Sequence, residues 1–185
     1  GSDIAVGLRH ALAGLLDQVV GCQEAMAAIE KQLADIAKLD TRCQRLMAAS
    51  GVGLITATAL SAGIGDFARF PSGRHFASAL GLTPREYSSG GTRKLGRITK
   101  QGDVFLRTLL IHGARSALIV AATARKRGQP LDRTQQWALA LAERKGHNKA
   151  AVALANKVAR RLWASEHHGT SFDPEHISRR EPRAA

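Results

Sequence analysis

Apolar residues at Leu8, Leu12, Leu15, Val19, Cys22, Met26, Ile29, Leu33 and Ile36 follow one another at alternating steps of four and three. This heptad spacing keeps one seam of a helix apolar over roughly four repeats and predicts a long helix over residues 4–47 with coiled-coil character. Cys43 and Met47 continue the seam, and Asp40 places a carboxylate at a seam position. Gly7, Gly14 and Gly21 recur at the same seven-residue interval. Each lowers helix propensity by about 1 kcal/mol relative to Ala, and together they admit close approach of a partner helix on one face. The seam either pairs with a second copy or packs on the chain's own domain. Its sustained register favours self-association.

Beyond the seam the pattern breaks and resumes several times. Ser50-Gly51-Val52-Gly53 interrupts it, Leu54 to Ala62 resumes it, and Gly63-Ile64-Gly65-Asp66 stops it again. A helix, a Gly-x-Gly turn and a second helix resemble a helix-hairpin-helix, in which turn amides and a helix N-terminus hold a DNA phosphate. A plain tight connection has the same pattern. Ser72 caps a short helix that runs to about Leu80 and closes at Gly81. Thr83-Pro84 begins an extended segment. Residues 84–98 form a serine-bearing loop, with room for a short β-hairpin turning at Gly90-Gly91. Thr99 is placed to cap a helix that ends at Arg125-Lys126-Arg127-Gly128, with apolar positions at Val104, Leu106, Leu109, Leu110, Leu118 and Ile119. Pro130 opens another helix ending near Gly146, and Asn148 caps a last one through Trp163. Trp137 and Trp163 read as core anchors. From His167 the chain turns polar, with two prolines, and reads as a disordered tail. The expected fold is mainly all-α. Its parts are a coiled-coil helix at 1–47, a helical domain at 48–166 and a tail at 167–185.

Composition agrees. Of 185 residues 44% are hydrophobic but only 4% aromatic, and Ala and Leu, both strong helix formers, are abundant. No apolar run reaches about 18 residues, so no membrane span is expected. The opening has no signal-peptide pattern, and Gly1-Ser2 reads as a cloning remnant. Cys22 and Cys43 form neither a disulfide framework nor a zinc site and read as buried thiols on one helical stripe. The seven histidines show no metal-ligand spacing, and His167-His168 reads as solvated. No metal site is expected in this chain.

Charge changes the picture more. The net formal charge is +12, yet residues 1–50 hold five basic and six acidic side chains. Residues 85–127 hold ten basic and two acidic ones, and residues 144–161 hold six basic and none acidic. A segmental excess of this kind points to a polyanion rather than to a uniformly solvated surface. It centres on Tyr87-Ser88-Ser89-Gly90-Gly91-Thr92-Arg93-Lys94-Leu95-Gly96-Arg97-Ile98-Thr99-Lys100. A serine hydroxyl needs activation to act as a nucleophile. His75 and His112 have no matching acid, so a Ser-His-Asp triad is disfavoured. Phosphoryl transfer is the other route, with Arg85, Arg93, Lys94, Arg97, Lys100 and Arg107 stabilising charge on phosphate oxygens. Arg107, among apolar neighbours on a helix, needs an anionic partner: either the phosphate or Asp103, four residues earlier. Arg125, Lys126 and Arg127 contact nucleic-acid backbone or simply end a helix favourably.

Several motifs occur together, in one order and spacing. They are Gly51-Val52-Gly53, Arg69-Phe70-Pro71-Ser72, Ala79-Leu80-Gly81-Leu82-Thr83-Pro84, Ser88-Ser89-Gly90-Gly91, Gly96-Arg97-Ile98-Thr99-Lys100-Gln101-Gly102-Asp103 and Leu106-Arg107 with Leu109-Leu110. With Asn148-Lys149-Ala150 and Ala153-Leu154-Ala155-Asn156-Lys157 downstream, residues 45–165 resemble the C-terminal transposase domain of DEDD-type, RuvC-like insertion-sequence recombinases, the one-ten / eleven-eleven group. The resemblance implies DNA transposition and site-specific recombination by an oligomer that a structured guide RNA directs to donor and target DNA. It implies a bacterial, cytoplasmic and nucleoid-associated setting. A RuvC-like nuclease domain outside this stretch would bear the DEDD carboxylates and a divalent metal, Mg, so the chain alone is expected to be inactive and itself to hold no cofactor. The domain would supply a serine that links covalently to DNA. Ser88, twelve residues before Lys100, sits where the family places that serine and is preferred to Ser89. Gly51, Gly53 and Lys149 join the basic residues as nucleic-acid contacts. Two other readings remain: a non-catalytic dimeric nucleic-acid-binding module, and a structural dimeric scaffold with incidental charge.

Overall fold

In the structure, a computed structural model that describes residues 6–175, the long apolar seam ends at Asp40. Helix α1 spans Val6–Leu39, and a separate helix α2 spans Thr41–Met47. The predicted single helix is thus two, and the charge at the seam position is the reason. Asp40 takes an extended conformation (φ −92°, ψ 103°), and its Oδ1 accepts from the Arg42 amide at 2.8 Å. A carboxylate in this place caps α2 better than it continues α1. Its Oδ2 accepts from Ser61 Oγ at 2.7 Å and from the Cys43 thiol at 3.1 Å. The break turns α2 into the core, where Cys43 and Leu46 are almost fully buried. Residues 7–32 of α1 are exposed throughout. The last turn of α1 already joins the core through Ala37. Cys22, expected to be buried, lies in the exposed stretch.

Helix α3 (Leu54–Ile64), a 3-10 turn (Phe67–Arg69) and helix α4 (Gly73–Ala79) follow, then strands β1 (Pro84–Glu86) and β2 (Leu95–Ile98). Helices α5 (Val104–Lys126), α6 (Arg133–Lys145) and α7 (His147–His168) complete a mainly all-α fold. Ser72 caps α4 as expected. Three other helix starts differ from the sequence expectation. Asp103, not Thr99, caps α5: Lys100 and Gly102 have positive φ (58° and 109°), so the chain turns helical only at Val104, and Asp103 Oδ1 accepts from Leu106 N (2.8 Å). Asp132, not Pro130, opens α6, through a reciprocal capping box with Gln135. Helix α7 starts at His147 after Gly146, and Asn148 instead accepts from Arg115 at 3.3 Å.

Helices α5 and α7 lie against each other at the centre, covered by α3, α4 and α6. Leu106, Leu110, Leu118, Leu154, Val158 and Leu162 fill the contact. Phe76 packs 5.2 Å from the ring centres of both Phe67 and Phe70. Trp163 anchors this corner by donating to the Phe67 and Phe70 carbonyls at 3.1 and 3.0 Å. Trp137 is half-buried, with Lys157 Nζ 4.1 Å from its ring centre. Glu166, its side chain only 4% exposed, accepts from Arg45 Nε and Nη2, each at 2.9 Å, and clamps α2 to α7. Helix α5 is long and apolar enough to cross a bilayer, but its leucines and alanines are the middle of this core.

The tail expected from His167 is structured over 167–175. His167 and His168 complete α7, and His167 stacks on Trp163 at 4.5 Å. The segment after Gly169 then folds back. Phe172 packs on the core, Thr134 Oγ1 donates to the Pro174 carbonyl at 2.9 Å, and Glu175 accepts from the Arg133 amide at 2.9 Å. The rest of that expected tail, 176–185, and Gly1-Ser2 lie outside the described residues.

The hydrogen bond from Ser61, helped by Cys43, holds the Asp40 carboxyl down at about 2. A lowered folded-state value adds stability above the ordinary carboxylate range, near about 4, and that stability is lost as pH falls toward 2. Asp40→Ala should lower stability by about 1–2 kcal/mol at pH 7. Urea unfolding should show the gap between wild type and variant narrowing between pH 4 and pH 2.

Candidate functional site

The serine segment is a β-hairpin standing off the core. Pro84 pairs with Ile98 and Glu86 with Leu95, with an irregularity between the two pairs. The ladder continues from the Tyr87 amide to the Lys94 carbonyl (2.8 Å) and closes with a Ser89–Thr92 bridge. Gly90 and Gly91, at φ 56° and 78°, make the two-residue turn. Both central residues of a type I′ turn need positive φ, which Gly-Gly meets without strain. Residues 84–97 are exposed, so the hairpin contributes almost nothing to the core.

Its base is held instead by a backbone clasp. The Lys100 amide donates to Gly81 O (3.1 Å) and the Asp103 amide to Ala79 O (3.3 Å). Gly102 sits at φ 109° with its α-carbon against the end of α4, where any Cβ would overlap the Ala79 carbonyl. Beneath the clasp lies Arg107, 7% exposed. Its Nη1 donates to the Leu80 carbonyl at 3.1 Å and the Asp103 carbonyl at 3.4 Å. Arg107 thus neither faces outward to a phosphate nor pairs with the Asp103 carboxylate. The Leu80 carbonyl at the α4 C-terminus gives its charge a partner that burial requires.

On the hairpin, adjacent side chains point to opposite faces. Ser88 Oγ donates to Glu86 Oε1 at 2.6 Å and accepts from the Lys94 amide at 3.2 Å. Arg93 Nε lies 3.6 Å from the same Glu86 oxygen. Glu86, Ser88 and Arg93 therefore share one face. Ser89 pairs through its backbone, and Tyr87 covers Gly96 on the other face, where a Cβ would come within 2.9 Å of the ring. Arg85, Arg93, Lys94 and Arg97 are all exposed along the hairpin, and Lys100 is exposed at its base.

The remaining sequence candidates lie elsewhere. Gly51 crosses α5 at Gly113, and a Cβ on Gly51 would come within 2.6 Å of the Gly113 carbonyl. It is a packing glycine. Gly53 is the N-cap of α3 and open to solvent. Arg125 pairs with Glu143 at 2.6 Å between α5 and α6. With Lys126 and Arg127 it ends α5, about 27 Å along the helix from Arg107. Lys149 is exposed on the first turn of α7. Among the described residues no cluster of three His, Cys, Asp or Glu side chains is placed to hold a metal ion. Glu86 is the residue that sequence reasoning missed. Its signal was strand alternation: once Pro84–Glu86 is a strand, positions 86 and 88 share a face.

The family model described as Transposase IS116/IS110/IS902 family matches residues 43–129, a span that holds the clasp and the whole hairpin. Over these residues the chain matches the transposase domain of that family. It is 44% identical over 160 residues to the "Probable family 20 transposase" of Pseudomonas aeruginosa, covering 86% of this chain and 46% of that protein. It is 41% identical over 164 residues to the transposase for insertion sequence element IS1111A of Coxiella burnetii, covering 86% and 43% respectively. With the transposase for insertion sequence element IS1328 of Yersinia enterocolitica the identity is 36% over 149 residues, covering 80% and 43%. The chain spans a little under half the length of these curated relatives.

The clasp around Gly102 is testable in this transposase domain. Gly102→Ala combines a left-handed backbone with an overlap on α4, and should cost about 3 kcal/mol or more. Thermal unfolding measures the loss, and proteolysis within residues 84–98 should accelerate.

Proposed function

We propose that this domain supplies the nucleophile for DNA strand transfer, with Ser88 forming a covalent phosphoserine link to a cut strand. The observation that supports it most is the setting of the Ser88 hydroxyl. It sits on an exposed hairpin of a transposase domain, within a field made by Arg85, Arg93, Lys94, Arg97 and Lys100. Such cations stabilise negative charge on phosphate oxygens as it builds. A phosphoserine conserves the energy of the broken phosphodiester, so rejoining needs no nucleotide cofactor. Divalent metal and the DEDD carboxylates belong, in this reading, to a nuclease domain outside residues 1–185. The basic end of α5 lies too far from the hairpin to share its phosphate, and we assign it, with Lys149, to the backbone of further DNA or of a structured guide RNA. The apolar seam of α1, exposed at Leu8, Leu12, Leu15, Val19, Met26, Ile29 and Ile36, suits a second copy of the chain.

In the intact transposase, Ser88→Ala should abolish transposition and the denaturant-resistant protein–DNA adduct while gel-shift affinity stays within about twofold. Ser89→Ala should retain the adduct. An adduct that persists in Ser88→Ala overturns the assignment. Salt-sensitive binding by a wild type that forms no adduct would favour the non-catalytic binding module instead. DNA affinity should fall steeply with salt, and Arg85→Ala and Arg97→Ala should each reduce the log–log slope by about 0.9.

A further inference from the structure

Among the described residues, the Ser88 hydroxyl has one side-chain partner within hydrogen-bond reach, and it is a carboxylate of its own strand. We propose that Glu86 is the general base that takes the Ser88 proton during strand cleavage and returns it during rejoining. This rests on the reading of Ser88 as nucleophile. It adds that the base comes from the hairpin itself, rather than from the carboxylates of another domain.

The geometry is that of a nucleophile–base pair. Ser88 Oγ donates to Glu86 Oε1 at 2.6 Å, the short distance of a charge-assisted O–H to carboxylate bond. That hydrogen bond aims the proton at Glu86 and leaves an Oγ lone pair for an incoming phosphorus. Two further contacts fix the arrangement. The Lys94 amide donates to Oγ (3.2 Å), which sets the side-chain rotamer. Arg93 Nε stands 3.6 Å from the same Glu86 oxygen and orients the carboxylate. Base and orienting group therefore lie on one face of one hairpin, beside the nucleophile they serve, in the arrangement seen generally at activated nucleophiles.

In the cleavage step a bond forms from Ser88 Oγ to phosphorus as the Oγ proton passes to Glu86. The bond from phosphorus to the leaving strand's oxygen breaks, and that oxygen leaves with the electron pair and takes a proton from water. In rejoining, a strand hydroxyl attacks the phosphoserine and gives up its proton to the hydroxide left by the cleavage step, the bond from phosphorus to Ser88 Oγ breaks, and Glu86 returns its proton to the departing Oγ. Electrons and protons balance, and no redox partner is required.

Glu86→Gln separates proton transfer from positioning, because the amide oxygen still accepts from Ser88 but does not take its proton. The test is single-turnover adduct formation by the intact transposase at saturating DNA, with gel-shift affinity measured alongside. Glu86→Gln should slow adduct formation by at least about 100-fold, with affinity within about threefold of wild type. Glu86→Asp, which keeps a carboxylate, should recover part of the rate. A Glu86→Gln rate within tenfold of wild type overturns the role of Glu86, and if Ser88→Ala is silent in the same assay the nucleophile stands. An adduct in Ser88→Ala removes the nucleophile reading itself, whatever Glu86→Gln does.

Discussion

The backbone clasp between the end of α4 and the turn before α5 is the constraint on which the candidate site depends. A two-stranded hairpin is marginal by itself in water, and this one has almost no buried side chains of its own. Its position must come from its base. There Gly102 lets two backbones approach closer than any Cβ permits, and hydrogen bonds from Thr99, Lys100 and Asp103 close the gap. Asn156 of α7 adds one to the Leu82 carbonyl at 3.0 Å. The Arg107 guanidinium sits beneath, against the Leu80 carbonyl at the α4 C-terminus. A buried cation at that end of a helix is electrostatically favourable. The same arrangement explains why Arg107 serves the site from inside: it holds the hairpin base in place, while exposed arginines and lysines present charge above it.

How much of this was legible in the sequence depends on which force decides each element. The seam of α1, the Ser72 cap and the Gly90-Gly91 turn follow from local chemistry, and all are present in the structure. The helix starts at Asp103, Asp132 and His147 were misplaced because several capping residues lie close together, and tertiary hydrogen bonds chose among them. Thr99 is chemically a fair cap, but the positive φ of Lys100 and Gly102 keeps the chain from turning helical until Val104. Asp40 was visible as an interruption but not as a cap, since its partners Ser61 and Cys43 come from different helices. Cys22 was placed in a core because apolar spacing shows that a face is apolar, not what covers it. The basic cluster was found, but Arg107 was grouped with its neighbours because charge is legible in a sequence and burial is not. Glu86 was missed because pairing it with Ser88 needs a strand, and the short segment left strand and loop equally open.

The body lies between two projections of opposite character. Helix α1 extends an apolar seam ahead of Asp40 with little net charge, and the hairpin extends a cationic surface with little apolar area. The Arg45–Glu166 pair and the Asp40 cluster stiffen the first junction, and the glycine clasp stiffens the second. Each projection is fixed by few contacts, so each junction relies on a buried or half-buried charge satisfied by hydrogen bonds. That choice favours geometry over raw stability, because buried ion pairs contribute little net energy yet tolerate few alternative arrangements.

Register is the last determinant of which serine can act. Alternation along a strand gives Ser88 and Ser89 opposite faces, so sequence adjacency does not make them interchangeable. A one-residue slip would place Ser89 among the partners now held by Ser88. Three features oppose that slip. The Gly-Gly turn accepts positive φ at both central positions, Tyr87 rests on Gly96, the residue of β2 that lacks a Cβ, and the Lys94 amide is bound to the Ser88 hydroxyl rather than left for the ladder. Moving any of these by one position sets a side chain against the Tyr87 ring or a bulky residue in the turn. The hairpin thereby converts a pair of adjacent serines into one oriented hydroxyl, and the carboxylate two residues before it marks which one.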